Sequence, residues 1–171
     1  MDENIKKQLE TTFKSVVVTI AEDTQIVVNV KEELVLAVLR FLKDRRFDHL
    51  ALISCVDWIE KKEFELVYIL TGYMQSDEEY TGREKMHLIV KTSIRRQNPR
   101  FETVIGIFSN AEPYEREIHE LFGIKFKGHK RLTPLFLERE YEIPPFRKDF
   151  DTRKYVKDVF DKIPSFEIKN K

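Results

Sequence analysis

A single cysteine, five glycines, six prolines and no excess of either charge in 171 residues already rule out several classes of protein. The lone thiol, Cys55, excludes an internal disulfide, and a four-thiolate iron–sulfur cluster cannot be held by this chain alone. Set in an apolar run, Cys55 reads as a buried structural thiol. Thirty basic residues balance thirty acidic ones, so no net field draws nucleic acid or anionic lipid. Glycine and proline are too sparse for a fibrous or disordered chain. No apolar run approaches the ~20 residues that cross a bilayer. Met1-Asp2-Glu3-Asn4 lacks the basic region of a signal peptide. The expectation is a chain that is cytosolic, or attached to a membrane from the cytosolic side. Phosphate loops, dinucleotide glycine patterns and nucleophile elbows are also missing.

What is present is a length and a 42% hydrophobic content that suit one globular domain with a real core. Charged residues make up 35%, above the ~25% of typical soluble domains, which points to surface ion pairing. Ile5, Leu9 and Phe13 recur at helical spacing. Val16 to Ile20 and Gln25 to Val30 read as a strand hairpin around a polar turn. Leu34, Val35, Val38, Phe41 and Leu42 form one helical stripe between Lys31 and Arg46. Leu50 to Ile59 is a continuous apolar run and predicts a central strand buried on both faces. Phe64 to Leu70 and Lys85 to Ile94 add strands on either side of an exposed loop, Met74 to Arg83. His87 reads as a surface or sheet-edge residue. Arg95 to Arg100 is a basic turn offering cations to the glutamates Glu115 and Glu117, and Phe101 to Phe108 fits either a strand or a short helix.

The densest chemistry lies between Glu115 and His129, where three glutamates, an arginine, two histidines and two glycines fall within one short stretch. Tyr114, Ile118, Leu121 and Phe122 share one helical face. Glu115 and Glu117 flank that face on opposite sides while Arg116 points away, so both glutamates call for partners at an apolar margin. Ser109 or Asn110 serves as N-cap, Glu112 and Pro113 suit the first turn, and Gly123 ends the helix. Ile124 to Phe126 then alternates as a short strand up to Gly128. Further on, Pro144-Pro145 stiffens the chain before Arg147, Lys148 and Asp149. Asp151 is placed to cap a last helix with Tyr155, Val156, Val159 and Phe160 on its apolar stripe, ended by Pro164.

Three readings of these residues stand side by side. Glu115, Glu117 and His119 are the set for a free-standing hydrolase or metal enzyme, and His119-Glu120 begins like a zinc-protease helix. Against it, Gly123 stands where the second histidine belongs, and glutamates two apart diverge by roughly 160° on a helix. No metal site is expected in the chain. A solvated, salt-bridged helix is the plain alternative, and an assembly surface is the third.

Glu115-Arg116-Glu117, Glu120-Leu121-Phe122-Gly123, Phe126-Lys127-Gly128-His129 and Pro145-Phe146-Arg147-Lys148-Asp149-Phe150 together resemble the peripheral-arm C subunit of respiratory complex I (NADH–quinone oxidoreductase) and its counterpart in membrane-bound, energy-converting nickel–iron hydrogenases. Pro113, where the respiratory pattern commonly has tryptophan, and His129-Lys130-Arg131 point to the hydrogenase-like branch. The resemblance implies an α+β domain over residues 1–129, with a mixed sheet flanked by helices, and an extended arm over 130–171 docking on partner subunits. It also implies a non-catalytic, peripheral subunit on the cytoplasmic side of the cell membrane, with membrane contact only through its complex. Its partners would be a large catalytic hydrogenase-like subunit and a small iron–sulfur subunit. Iron–sulfur clusters and a nickel–iron centre would lie in those partners, with no cofactor in this chain. Glu115, Arg116, Glu117, Glu120 and His129 would lock the domain to arm and partner, Arg147, Lys148 and Asp149 would anchor the arm, and Gly123 and Gly128 would set its turns. The complex would move electrons from ferredoxin to protons and pump ions, or, in the respiratory branch, serve quinone.

Overall fold

The computed structural model describes residues 2–22, 25–73, 85–137 and 141–159. The loop expected from Met74 to Arg83, and Phe160 and Pro164 at the end of the last helix, lie outside these residues. Helix α1 (Asp2–Thr12) buries Ile5 and Leu9, and the β-branched runs that follow pair antiparallel as β1 (Val17–Glu22) and β2 (Gln25–Asn29). A 3-10 turn, Glu32–Leu34, leads into α2 (Val35–Lys43), which buries Val35, Val38, Leu39 and Leu42. The helix is shorter than its apolar stripe suggests, since its first turn is tightened and Arg46 leaves with φ 68°.

Strands β3 (His49–Trp58), β4 (Glu63–Tyr73) and β5 (Lys85–Arg95) complete a sheet of order β1-β2-β5-β4-β3. It is mixed because β2 and β5 run parallel. Ile26, Val28, Leu88, Val90, Leu66, Tyr68 and Leu70 are buried on one face, where the core lies. His87 is half-buried on the other face of β5, an inner strand.

The apolar run from Leu50 is not a central strand. β3 is a sheet edge with alternating burial: Ile53, Cys55 and Asp57 face inward, while Leu52 is exposed and Ser54 and Val56 are half-buried. Side chains from the region of α3 (Ala111–Phe122) satisfy its edge instead of another strand. The Asn110 amide donates to the Leu50 carbonyl at 2.8 Å and the Tyr114 hydroxyl donates to the Ala51 carbonyl at 2.9 Å. A covered edge tolerates apolar residues that an open one does not.

Two short parallel strands, β6 (Arg100–Glu102) and β7 (Lys125–Lys127), bracket α3. This resolves the segment after Phe101 as a brief strand followed by turns. Past β7 the described residues run without regular structure to α4 (Thr152–Val159), where Asp151 Oδ1 accepts the Lys154 N–H at 3.0 Å as an N-cap. The class is α+β, as predicted.

Candidate functional site

Helix α3 buries Ala111, Glu115, Ile118 and Leu121, so Glu115 sits inside the apolar stripe rather than at its margin. Its side chain is completely buried. The Thr103 hydroxyl donates to one oxygen at 2.6 Å and the Val104 N–H to the other at 2.7 Å. Burial pushes the Glu115 carboxyl above its ordinary range, and these two bonds and nearby His129 offset only part of that push. Glu115 therefore ties the 103–105 turn to the helix. Asn110 occupies the cap position without making a cap bond, because its amide is engaged on β3.

Arg116 leaves the stripe as expected, but it ends on the chain beyond β7. Nε donates to the Thr133 carbonyl at 2.9 Å and Nη2 to the Pro134 carbonyl at 2.8 Å, with Glu112 3.5 Å from Nη1. One turn on, the Glu120 carboxylate accepts three consecutive backbone N–H groups. Leu135 and Phe136 each donate at 3.0 Å, and Leu137 is the third. Burial opposes this carboxylate's charge, yet the three N–H groups and Arg116 outweigh it and hold its pKa below the usual range. Arg116 and Glu120 thus form the first anchor of the arm.

The histidines and glycines shape the ends. His119 Nδ1–H donates to the Ile124 carbonyl at 2.8 Å, and the Gly123 N–H returns to the His119 carbonyl. Gly123 has φ 80° and a Cβ there would stand 3.0 Å from Pro144 Cγ, so both the turn and the close approach of the arm require glycine. Gly128, at φ 87°, turns the chain beside Thr103. His129 Nδ1 accepts the Arg131 N–H at 3.1 Å, which leaves Nε2 as the protonated nitrogen facing the Glu112 carbonyl.

The second anchor lies at the C-terminal end of α3, on Asp57 of β3 and on Arg96 just past β5. The Phe146 N–H donates to the Leu121 carbonyl at 3.0 Å and its ring meets Phe122 edge-on. Arg96 grips Asp57 with both ends of its fork, Nε at 2.7 Å and Nη2 at 3.0 Å, and reaches Asp149 at 2.6 Å. Asp57 also accepts the Lys148 N–H at 2.9 Å. Arg147 bonds Asp149 at 3.3 Å, and the Arg96 and Arg147 guanidinium carbons each lie 5.7 Å from the Phe64 ring centre. Burial opposes the Asp57 charge, but Arg96 and the Lys148 N–H prevail and lower its pKa. Asp149 is lowered chiefly by its bond to Arg96. The basic turn thus serves aspartates, not the glutamates it was expected to meet. Asp57 and Arg96 are the site residues that sequence reasoning missed, although a lone acid inside the run Cys55-Val56-Asp57-Trp58 was a usable signal.

Tyr141, Phe150 and Tyr155 cluster between the second anchor and α4. No described residue of α4 is fully buried. Among the large apolar side chains of this stretch, Phe136 is 67% exposed, Phe146 60%, Ile143 38% and Val159 37%. Glu115, Glu117 and His119 do not converge. Glu115 is in the interior, His119 is on a carbonyl, and Glu117 is half-buried with no partner among the described residues. Among those residues no three metal-ligating side chains come together, and no helix is long and apolar enough to cross a membrane.

Known proteins are similar to this chain in sequence and in fold. The family model described as "Respiratory-chain NADH dehydrogenase, 30 Kd subunit" matches residues 28–156. The C subunit of F(420)H(2) dehydrogenase from Methanosarcina mazei is 36% identical over 107 residues, 62% of each chain. The C subunit of NADH-quinone oxidoreductase from Rhodobacter capsulatus is 29% identical over 143 residues, 81% of this chain and 67% of the relative. The chain spans less than two thirds of the first curated relatives it matches, 62%, 18% and 22% of their lengths. Among solved structures, a chain of the membrane-bound sulfane sulfur reductase, an archaeal respiratory membrane complex, superposes with a TM-score of 0.82 at 29% identity, covering 96% of this chain and 94% of that one. A trypsin-resistant fragment of Nqo5 shares the fold, with a TM-score of 0.61 at 23% identity over 77% of this chain and all of the fragment. With the match running from β2 into α4 and across both anchors, the chain belongs to the family of the 30 Kd subunit of respiratory-chain NADH dehydrogenase, as a complex I-like C subunit.

Proposed function

We propose that this chain is a non-catalytic docking subunit on the cytoplasmic periphery of a membrane-bound oxidoreductase complex. It holds a large catalytic subunit and a small iron–sulfur subunit in register, so that distances between their redox centres stay fixed. The supporting observation is the arm. Its backbone is fixed from behind by Glu120, Arg116 and Asp57 and its Asp149 side chain by Arg96, while Phe136 and Phe146 stay largely exposed. Exposed aromatics on a pre-ordered backbone lose little entropy on docking and suit the centre of an interface. In this reading the clusters and any nickel–iron centre belong to the partners, consistent with a single buried thiol here.

For the reaction of the whole complex, the hydrogenase reading, ferredoxin to protons with ion pumping, rests on the motif departures at Pro113 and Lys130-Arg131. A second reading, reduction of sulfane sulfur, is favoured by the near-complete coverage of the archaeal reductase chain. Phe136→Ser tests the docking role. The variant is expected to fold with an unchanged melting temperature yet lose at least ~10-fold in retention on washed native membranes, since loss of a hot-spot aromatic costs ~2 kcal/mol or more. Retention equal to wild type would overturn it. Hydrogen or sulfide evolved by the captured complex separates the two reactions.

A further inference from the structure

Of the four histidines in the chain, two are engaged around α3, His119 on the Ile124 carbonyl and His129 between the Arg131 N–H and the Glu112 carbonyl. The other two, His49 and His87, are distant in sequence, but the sheet brings them into one cross-strand row. His49 of β3 lies directly opposite Thr71 of β4, and Thr71 lies directly opposite His87 of β5. Directly opposed residues share a face of the sheet. That face is the one away from the core, because one step along the same three strands Leu50, Leu70 and Leu88 are paired and buried. His49 is exposed and His87 half-buried, and neither ring has a hydrogen bond or ion pair among the described residues. Thr71 between them is 2% exposed, yet its hydroxyl has no hydrogen-bond partner among those residues.

Backbone geometry sets the span of this row. Opposed Cα atoms of antiparallel strands are alternately about 5.5 and 4.5 Å apart, and a residue that exchanges hydrogen bonds with one neighbouring strand does not do so with the other, so the two histidine Cα atoms lie about 10 Å apart across Thr71. An imidazole holds a metal ion about 6 Å from its own Cα, through a metal–nitrogen bond of about 2.0–2.1 Å. Two such reaches meet above β4, over the Thr71 hydroxyl. A neutral imidazole offers a lone pair suited to zinc, copper or nickel, and the row carries no Lys or Arg with which to hold an anion. No third His, Cys, Asp or Glu joins the pair among the described residues, so the remaining coordination positions belong to water, as in an open site. Gln25, opposite His87 on β2, gives that ring a neighbour able to accept its other N–H.

We propose that His49 and His87 form a binding site for one divalent metal ion of the zinc type, with the Thr71 hydroxyl beneath it as a third oxygen or nitrogen contact. The ion ties β3 to β5 across β4 and gives the orphaned hydroxyl a partner. Asp57 and Arg96 lie toward the opposite ends of the same strands, so metal binding and the hold on the arm are independent, and the site stands whether or not the chain docks as described above.

The test uses the full chain, stripped of metal by a chelator and titrated with Zn²⁺ in a calorimeter at about pH 7.5, where imidazole is neutral. One zinc ion per chain is expected to bind. His49→Ala and His87→Ala are each expected to lose at least ~10-fold in affinity, and wild-type binding is expected to vanish at about pH 5.5, where the rings are protonated. A second measurement needs no variant: Zn²⁺ should shift the ring resonances of His49 and His87 and leave those of His119 and His129 in place. Absence of binding, affinity unchanged in either variant, or shifts confined to His119 and His129 overturns the proposal.

Discussion

Replacing Arg96 with alanine removes three hydrogen bonds at once, two to Asp57 and one to Asp149. Asp57 is 3% exposed and would keep only the Lys148 N–H. A buried carboxylate stripped of its cation costs about 3–5 kcal/mol. Asp149→Asn touches a carboxylate that is 35% exposed, where an ion pair contributes about 1 kcal/mol or less. In a chain of this size each kcal/mol shifts the melting temperature by about 2–4 °C. Arg96→Ala is therefore expected to lower it by roughly 6–20 °C and Asp149→Asn by at most about 4 °C. Calorimetry gives the global effect, and hydrogen exchange at the Lys148 and Phe146 amides shows whether the arm lifts first. If Arg96→Ala proves no worse than Asp149→Asn, or leaves Lys148 protected, the Asp57–Arg96 pair does not hold the arm.

Gly123→Ala meets both a positive φ and Pro144 at 3.0 Å. It should cost about 1–2 kcal/mol and speed exchange at the Phe146 amide, and unchanged exchange would argue against the close approach. Asp57, Asp149 and Glu120 have lowered pKa values, so their contribution is complete above the ordinary carboxylate range and is lost as pH falls through the depressed values. Arm amides should accordingly lose protection below about pH 4, before the sheet unfolds. Glu115 has the opposite sign. Its contribution is complete below the ordinary value of 4.5 and declines as pH rises through its raised pKa. Stability of wild type relative to Glu115→Gln should fall across that window, and a constant difference would show that Glu115 does not titrate there.

The central unit was largely legible because its signals are local. Gly123 stops α3, Ile124 to Phe126 forms a strand, and Gly128 turns the chain, each dictated by neighbours within a few residues. What failed depends on contacts distant in sequence. Nothing local places β3 at an edge, because strand order is set by which segments pair and by the Tyr114 and Asn110 side chains that cover it. A helical wheel sends Arg116 toward solvent, but the arm occupies that space and turns its guanidinium into a clamp. Glu115 looked marginal because a wheel measures angle, not depth, and Thr103 and Val104 arrive from outside the helix. Asp57 carried its own signal, an acid among apolar neighbours, though its cation lay 39 residues away.

The most direct measurement of the central claim is affinity capture of the tagged wild-type chain from detergent-solubilised native membranes, with mass spectrometry of the captured subunits and electron paramagnetic resonance of their clusters. The account expects a defined complex in which a large catalytic subunit and a small iron–sulfur subunit accompany the chain in fixed proportion and cluster signals come with them. Recovery of the chain alone, with no cluster-bearing partner, would contradict it.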